Sequence, residues 1–352
     1  MATSGTVSET VIDVQQLIDH GARRCGKFAE ELTSEQQISA RESLYFLLSS
    51  LANRGIQYWA IQKTVIGITP DKYIYDMPLG SVDVLNALYR KMNRPSGIYS
   101  SSSGVASNAF DNDIDTIDVQ TAINGNIAIN YGVDNVIYAG SIGILPGVSG
   151  SFHILLEYST DGSTWSLLHD TGVTTWVDGT WLWYDIDPGV TVQYYRMRET
   201  GGNTLAVREF YVGNNSTEIM MSRLNRDDYT NLPNKNFTAN QPFQFWFDRT
   251  IPQPKMYLWP TPSDPFVQIT VWCSRQIQDV GALQDSLEIP QRWYEAIVFM
   301  LSHRMELELP QVDPTRIAYL EKMADKYLYE AEQEERDNSP IYLAPNISVY
   351  TR

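Results

Sequence analysis

The sequence predicts an α+β protein: a helical bundle with a small antiparallel sheet, interrupted by an inserted β-sandwich of the jelly-roll type. Three observations predict this. Apolar residues recur at helical spacing near both ends of the chain. Proline-punctuated aromatic runs between Pro242 and Trp293 read as short strands that hand over to a helix. Between these regions, from Arg94-Pro-Ser-Gly97 to Gly213-Asn-Asn-Ser216, the helical period vanishes and short strands alternate with Asp-Gly, Pro-Gly and Gly-Gly turns.

In chain order, Val14, Leu17, Ile18, Cys25 and Phe28 form the apolar face of a first helix. A capping-box pattern at Ser34-Glu-Gln-Gln37 opens a second, whose face Ile38, Tyr45, Leu48, Leu51 and Ala52 runs to a glycine stop at Arg54-Gly55. The runs Thr64 to Ile68 and Tyr73 to Tyr75 read as strands around the turn Thr69-Pro-Asp-Lys72. Val82 to Tyr89 reads as another strand, although its apolar positions also suit a helix. The segment that follows holds roughly 120 residues of short strands, the size of one sandwich. It has no lysine between Lys91 and Lys235, and its three arginines face thirteen acids, so most of the chain's charge of −16 sits there. Later strands are expected over Pro242 to Arg249, Tyr257 to Pro262 and Val267 to Cys273. Pro290 then opens a helix with the face Trp293, Ile297, Met300, Leu301 and Met305, ended by Pro310. Asp313-Pro314 opens the last helix, with Ile317, Leu320, Ala324, Tyr327, Leu328 and Ala331 inward. The expected organisation is a discontinuous body over 1–94 and 216–336, a sandwich over 95–215 and an extended arm over 337–352.

At 43% hydrophobic and 19% charged residues the composition is that of an ordinary globular protein. The acidic balance argues against a surface that neutralises nucleic-acid phosphates, while leaving room for an acidic lining along which DNA slides without sticking. No signal segment precedes Val11 and no run approaches the roughly 18 apolar residues of a membrane span, so the expectation is a chain made in the cytoplasm and not placed in a membrane. Cys25 and Cys273 show no metal or redox spacing. No nucleophile elbow, phosphate-cradling glycine loop or dinucleotide fingerprint occurs, and the chain reads as a non-enzyme. Glycoside hydrolysis needs only two suitably spaced carboxylates, which spacing in sequence does not reveal among 42 acids.

Several clusters carry candidate chemistry. His303-Arg-Met-Glu306 is half a metal site without a second histidine on its face. Asp111-Asn-Asp-Ile-Asp-Thr116 sets oxygen ligands at alternate positions, as in a calcium loop or a plain acidic turn, but lacks the glycine and terminal glutamate of the helix-loop-helix type. Trp181-Leu-Trp-Tyr184 suits a sandwich core or a sugar platform. Glu330, Glu332, Glu334 and Glu335 oppose the helix dipole, either as a solvated end or as acids that face a DNA channel or pair with a basic partner. Ile341, Tyr342, Leu343, Ile347, Val349 and Tyr350 make the C-terminal arm too apolar for a solvated tail, which suits docking on another chain or on its own subunit.

Two resemblances follow from these residues. The helix pair ending near Trp59, Tyr75-Asp-Met-Pro78, Phe245-Trp-Phe-Asp-Arg249, Leu258-Trp-Pro-Thr-Pro262, the Arg275 to Asp279 strand end and Ile289-Pro-Gln-Arg-Trp293 with its two helices occur in an order that resembles head-to-tail adaptor (head completion) proteins of tailed bacteriophages. The resemblance covers about two thirds of the chain. It implies a virion protein of the neck, assembled in the host cytoplasm as a twelve-fold ring between the portal protein and the tail or nozzle proteins. Such a ring passes double-stranded DNA, and the arm residues would meet the portal. The insert resembles discoidin-type, galactose-binding-like jelly rolls through Asn108 to Thr116, Glu157 to Trp165, Tyr195 to Arg198 and Val207 to Tyr211. That resemblance implies a structural calcium ion at Asp111, Asp113, Thr116 and Glu209, with Asn112 standing where the family commonly has glycine. No other cofactor is implied. Two further functions stand beside the connector: a carbohydrate-binding surface or receptor-recognition protein working through the sandwich, and a cell-wall glycoside hydrolase.

Overall fold

The computed structural model describes residues 11–51, 58–91, 96–132, 135–213, 218–310 and 312–334. Strand accounts for 41% of the chain and helix for 26%, so β-structure dominates, and a helical bundle is not the core of the chain as expected. The chain divides into two compact units, residues 1–61 with 274–352, and residues 62–273. The expected junctions at 94/95 and 215/216 fall within 92–95 and 214–217, outside the described residues. Ala52, the Arg54-Gly55 stop, Glu335 and the whole arm, with Ile341, Tyr342, Leu343, Ile347, Val349 and Tyr350, also lie outside them.

The described helices are α1 (Val14–Arg24), α2 (Ser34–Leu51), α3 (Arg226–Thr230), α4 (Tyr294–Glu306) and α5 (Pro314–Glu334). In the first unit α1, α2, α4 and α5 share an apolar cluster that includes Val14, Leu17, Leu44, Leu48, Trp293, Ile297, Leu301, Leu320 and Leu328. Trp59 meets Trp293 edge-on at 4.9 Å and Phe299 stacks on Tyr327 at 4.8 Å. The expected faces of α4 and α5 are the ones that pack. The face of α2 is rotated, since Ala40, Leu44, Leu47, Leu48 and Leu51 are buried while Ile38 and Tyr45 are exposed. Its capping box also sits one residue earlier than expected: Gln36 N donates to Thr33 Oγ1 and Thr33 N to Gln36 Oε1. Phe28, expected on the α1 face, is 68% exposed because α1 stops at Arg24 and the chain turns at Gly26, where φ is +83°.

The second unit holds the sheets. One has the order Ile61–Gly67, Val267–Arg275, Ser81–Lys91, Glu218–Met220, which makes the ambiguous Val82 to Tyr89 run a strand. Another has the order Ser222–Leu224, Gln244–Asp248, Lys255–Trp259, Ile74–Asp76. The two strands beside the Thr69-Pro-Asp-Lys72 turn therefore enter different sheets. Phe245, Phe247, Met256 and Leu258 from the aromatic stretch share one apolar cluster with Val267, Ile269 and Val271.

The insert is a two-layer sandwich. Four antiparallel strands (Leu182–Val192, Ile137–Pro146, Thr204–Gly213, Asp118–Ile123) face five (Ile98–Ser101, Asn126–Asn130, Tyr194–Glu199, Gly150–Ser159, Ser166–Trp176). Alternation along each strand sends Ile127, Ile129, Ile142, Ile144, Ile154, Leu156, Tyr195, Met197, Leu205 and Val207 into the core. Phe152 stacks on Trp176 there at 4.3 Å.

The outer face of the four-stranded layer is also buried. Trp181 and Trp183 point away from the core and stack on each other at 4.7 Å. Trp181 meets Phe266 and Trp183 meets Tyr211, at 5.7 and 5.5 Å, with Leu145 in the same small cluster. Gly67 and Gly143 leave room for these indoles, because a Cβ at either position would collide with them. Beside the rings, Arg90 is 2% exposed; it donates to Asp185 at 3.0 Å and to Glu218 at 2.6 Å, and Lys63 pairs with the same Asp185. The sandwich is thus held to the sheet that carries Gly67, Arg90 and Phe266 by stacked rings and an ionic cluster.

Candidate functional site

The acidic loop lies in this second unit. Thr116 donates its one hydroxyl proton into a ring of acceptors: Asn108 O at 3.2 Å, the two Asp111 carboxylate oxygens at 3.0 and 2.8 Å, and Asp113 O at 3.0 Å. Backbone N–H groups donate here too, Asp113 N to Asp111 Oδ1 at 2.9 Å and Thr116 N to Asp113 O at 3.2 Å, so the loop is a hydrogen-bonded turn that gathers carboxylate, carbonyl and hydroxyl oxygens of the kind a hard cation takes. Asp113 joins through its carbonyl, since its Oδ1 accepts from Asp115 N at 3.0 Å. Glu209 is buried, and it lines a cavity of about 30 Å³ together with Asn112. Among the described residues no three His, Cys, Asp or Glu side chains gather as a metal group, so carbonyls and Thr116 would supply much of any coordination. The donor set fits calcium and does not suit a transition metal, which would call for imidazole or thiolate.

The other side of the same loop forms a wall of an open cleft. Asn112, Asp113 and Ile114 face Ser263, Asp264, Pro265 and Phe266, with Pro70 and Lys91 completing a volume of about 740 Å³. Each piece has a local cause. Asn112 takes φ +67°, a left-handed conformation that asparagine tolerates and that turns the loop outward. Asp264 Oδ1 accepts from Phe266 N at 2.9 Å, closing a small turn at the start of the Val267–Arg275 strand. Lys91 ends the Ser81–Lys91 strand and is exposed. A cleft of this size falls in the range of roughly 300 to 1,000 Å³ common for small-molecule sites.

The outer face of the five-stranded layer carries a different pattern. Glu157 accepts from Arg196 at 2.6 Å and from Arg198 at 2.8 Å, and the Arg196 guanidinium lies 4.1 Å over the Trp165 ring. Burial pushes the Glu157 carboxyl up, but the two arginines outweigh it and hold the group below the usual carboxylate range. His153 pairs with Asp170 at 2.7 Å.

The remaining candidates are placed as follows. His303 Nδ1 pairs with Glu306 on its own helix at 2.6 Å. Burial raises the Cys25 thiol to about 12, and its Sγ donates to Ser302 O. Glu330, Glu332 and Glu334 are exposed on α5, and Glu330 lies 3.7 Å from Lys326. Trp181 is buried and Trp183 partly buried, stacked face to face, so they do not form an open sugar platform. Sequence reading missed the cleft, because its walls come from segments far apart in the chain; the paired turn formers at Asn112 and Ser263-Asp264-Pro265 were its only local signal.

No family model matches the chain, and no curated protein matches it. Among solved structures, the sandwich is similar to family 32 carbohydrate-binding modules. Chitosan-binding module 1 from a chitosanase/glucanase of Paenibacillus sp. IK-5 is 19% identical over 36% of this chain and 99% of that one, with a TM-score of 0.30. The family 32 module of Clostridium perfringens NanJ, solved with galactose, is 18% identical over 35% and 98%, with a TM-score of 0.29. A pectin-binding module is 19% identical over 34% and 92%, with a TM-score of 0.30. Likeness at this level decides neither ligand nor role.

Proposed function

We propose that the chain is a non-enzymatic structural protein whose β-sandwich recognises carbohydrate, with the cleft beside the acidic loop as the binding site. The observation that carries this reading is the cleft itself. Pro70, Pro265 and Phe266 offer apolar walls, and Asn112, Asp113, Ser263, Asp264 and Lys91 offer polar groups at the rim. That combination suits a pyranose, which has apolar faces and a polar edge. A structural calcium ion held at Asp111, the Asn108 and Asp113 carbonyls and Thr116, with Glu209 behind the loop, would stiffen one wall. The modules named above bind chitosan, galactose and pectin, ligands that differ in charge, so the ligand class has to come from the cleft. Binding of the intact protein to a glycan array, followed by calorimetry, is expected to give sub-millimolar ligands that Asn112→Ala weakens at least tenfold. A folded protein with no glycan ligand refutes the reading.

A second reading, the head-to-tail connector of a tailed bacteriophage, is favoured by a separate observation. Phe28, Ile38, Tyr45, Phe46, Tyr319 and Tyr329 are exposed in the helical unit. Large exposed apolar side chains in such numbers accompany association surfaces, and two different faces meeting head to tail would close a ring. In that reading the partners are further copies of this chain, the portal protein and the tail or nozzle proteins, around passing DNA, in the virion neck. Negative-stain microscopy of the protein with portal is expected to show twelve-fold rings; monodisperse monomers in the mixture would sink it. The two readings are compatible in one chain. No specific observation favours the hydrolase.

A further inference from the structure

The geometry points to a cleft that selects uncharged or amino sugars and rejects uronates and sialates, an inference that rests on the carbohydrate reading. The charge at the rim carries it. Among the described residues that line it, Asp113 and Asp264 stand against one cation, Lys91, so that lining is net negative. Both carboxylates are oriented by the backbone: Asp113 Oδ1 accepts from Asp115 N and Asp264 Oδ1 from Phe266 N, at 3.0 and 2.9 Å. Each keeps its second oxygen outside those bonds, ready to accept from a sugar hydroxyl or ammonium. Lys91 is exposed and lines the cleft, and among the described residues it has no carboxylate at ion-pair distance, so its ammonium can donate to sugar oxygens. Asn112 supplies both an acceptor and a donor, and Ser263 a hydroxyl. A hydroxyl-rich ring satisfies all these groups. An anionic ring would bring a third negative charge beside one ammonium, a repulsion that low salt leaves largely unscreened. An amino group would instead pair with carboxylates whose geometry is already fixed.

The test uses the full chain and three probes in calorimetry at low salt: chitosan oligomers, galactose oligomers and oligogalacturonate. The expected order is amino sugar first, neutral sugar next, and uronate at least tenfold weaker than either. Asp264→Asn keeps the Oδ1 acceptor for Phe266 N, so the turn persists; it is expected to lose about tenfold in amino-sugar affinity while neutral-sugar affinity changes less than threefold. Raising the salt to 0.5 M is expected to close the gap between amino and neutral probes. Tightest binding of the uronate, or an Asp264→Asn variant with unchanged amino-sugar affinity, overturns the assignment while leaving carbohydrate recognition standing. Binding of none of the three by a folded protein overturns both.

Discussion

The two layers of the sandwich put the same chemistry to opposite uses. On the outer face of the four-stranded layer, Trp181 is buried with Tyr211 and Phe266, Trp183 is partly buried beside them, and the buried Arg90 bridges the partly exposed Asp185 and Glu218. On the outer face of the five-stranded layer, Trp165 is stacked under Arg196, and Arg196 and the partly exposed Arg198 share the buried Glu157. One face joins the sandwich to a sheet and the other is open. The difference teaches that an ion cluster stabilises according to what covers it. In the first cluster the cation is the buried member and its carboxylates reach solvent; in the second the carboxylate Glu157 is buried and its two arginines reach solvent.

Arg90→Ala should therefore show the largest effect, about 2–5 kcal/mol of stability lost in urea unfolding of the protein, because it empties a large buried side-chain site as well as breaking two ion pairs. Arg198→Ala on the open face should lose about 1 kcal/mol or less. Equal losses would break the comparison. Next in size, millimolar calcium should raise the melting temperature, by about 1–3 kcal/mol of added stability for an ion tens to a hundredfold above its Kd, and a chelator should reverse it. A melting curve indifferent to both removes the ion from the acidic loop. The smallest effect belongs to the turn between the strands Gly150–Ser159 and Ser166–Trp176. There the backbone N–H groups of Thr164 and Ser163 hold the exposed Asp161 carboxyl down to about 2 from its ordinary 3.8. A folded-state value below the unfolded one means that this contribution is complete above pH 4–5 and disappears as pH falls through about 2. Chemical-shift titration of Asp161 reads it directly; a midpoint near 4 would remove the cap.

Much of this architecture was legible in the sequence, and the failures have physical causes. The sandwich announced itself through period-two alternation and turn dipeptides, both local properties. The α4 and α5 faces were legible because their burial follows helical period. The α2 face was misread because α2 carries apolar residues on both sides, Leu44, Leu47 and Leu48 inward and Ile38, Tyr45 and Phe46 outward, so periodicity alone does not choose. Trp181-Leu-Trp-Tyr184 was read as core or platform, although a strand apolar on both faces is a sign of cover on both sides. Leu182 and Tyr184 pack toward the sandwich core while the tryptophans turn away from it. In the acidic loop, spacing points to the alternating acids and the discoidin-type resemblance to Thr116, while the Asp113 carbonyl that meets Thr116 is not legible, because spacing is blind to backbone oxygens. The cleft depends on two turns brought together only by tertiary structure.

The cleft also has a mechanical side. Its walls are the segment Asn112 to Ile114 and the segment Ser263 to Phe266, and Phe266 runs directly into the strand Val267–Arg275. Under the proposed carbohydrate reading, a pull on a ligand seated between them would load both segments, and the stacked indoles and Arg90 cluster would share that load with the sheet. Separation of the sandwich from the sheet would then require these contacts to fail together, as in a fixed bracket and not a swivelling tether.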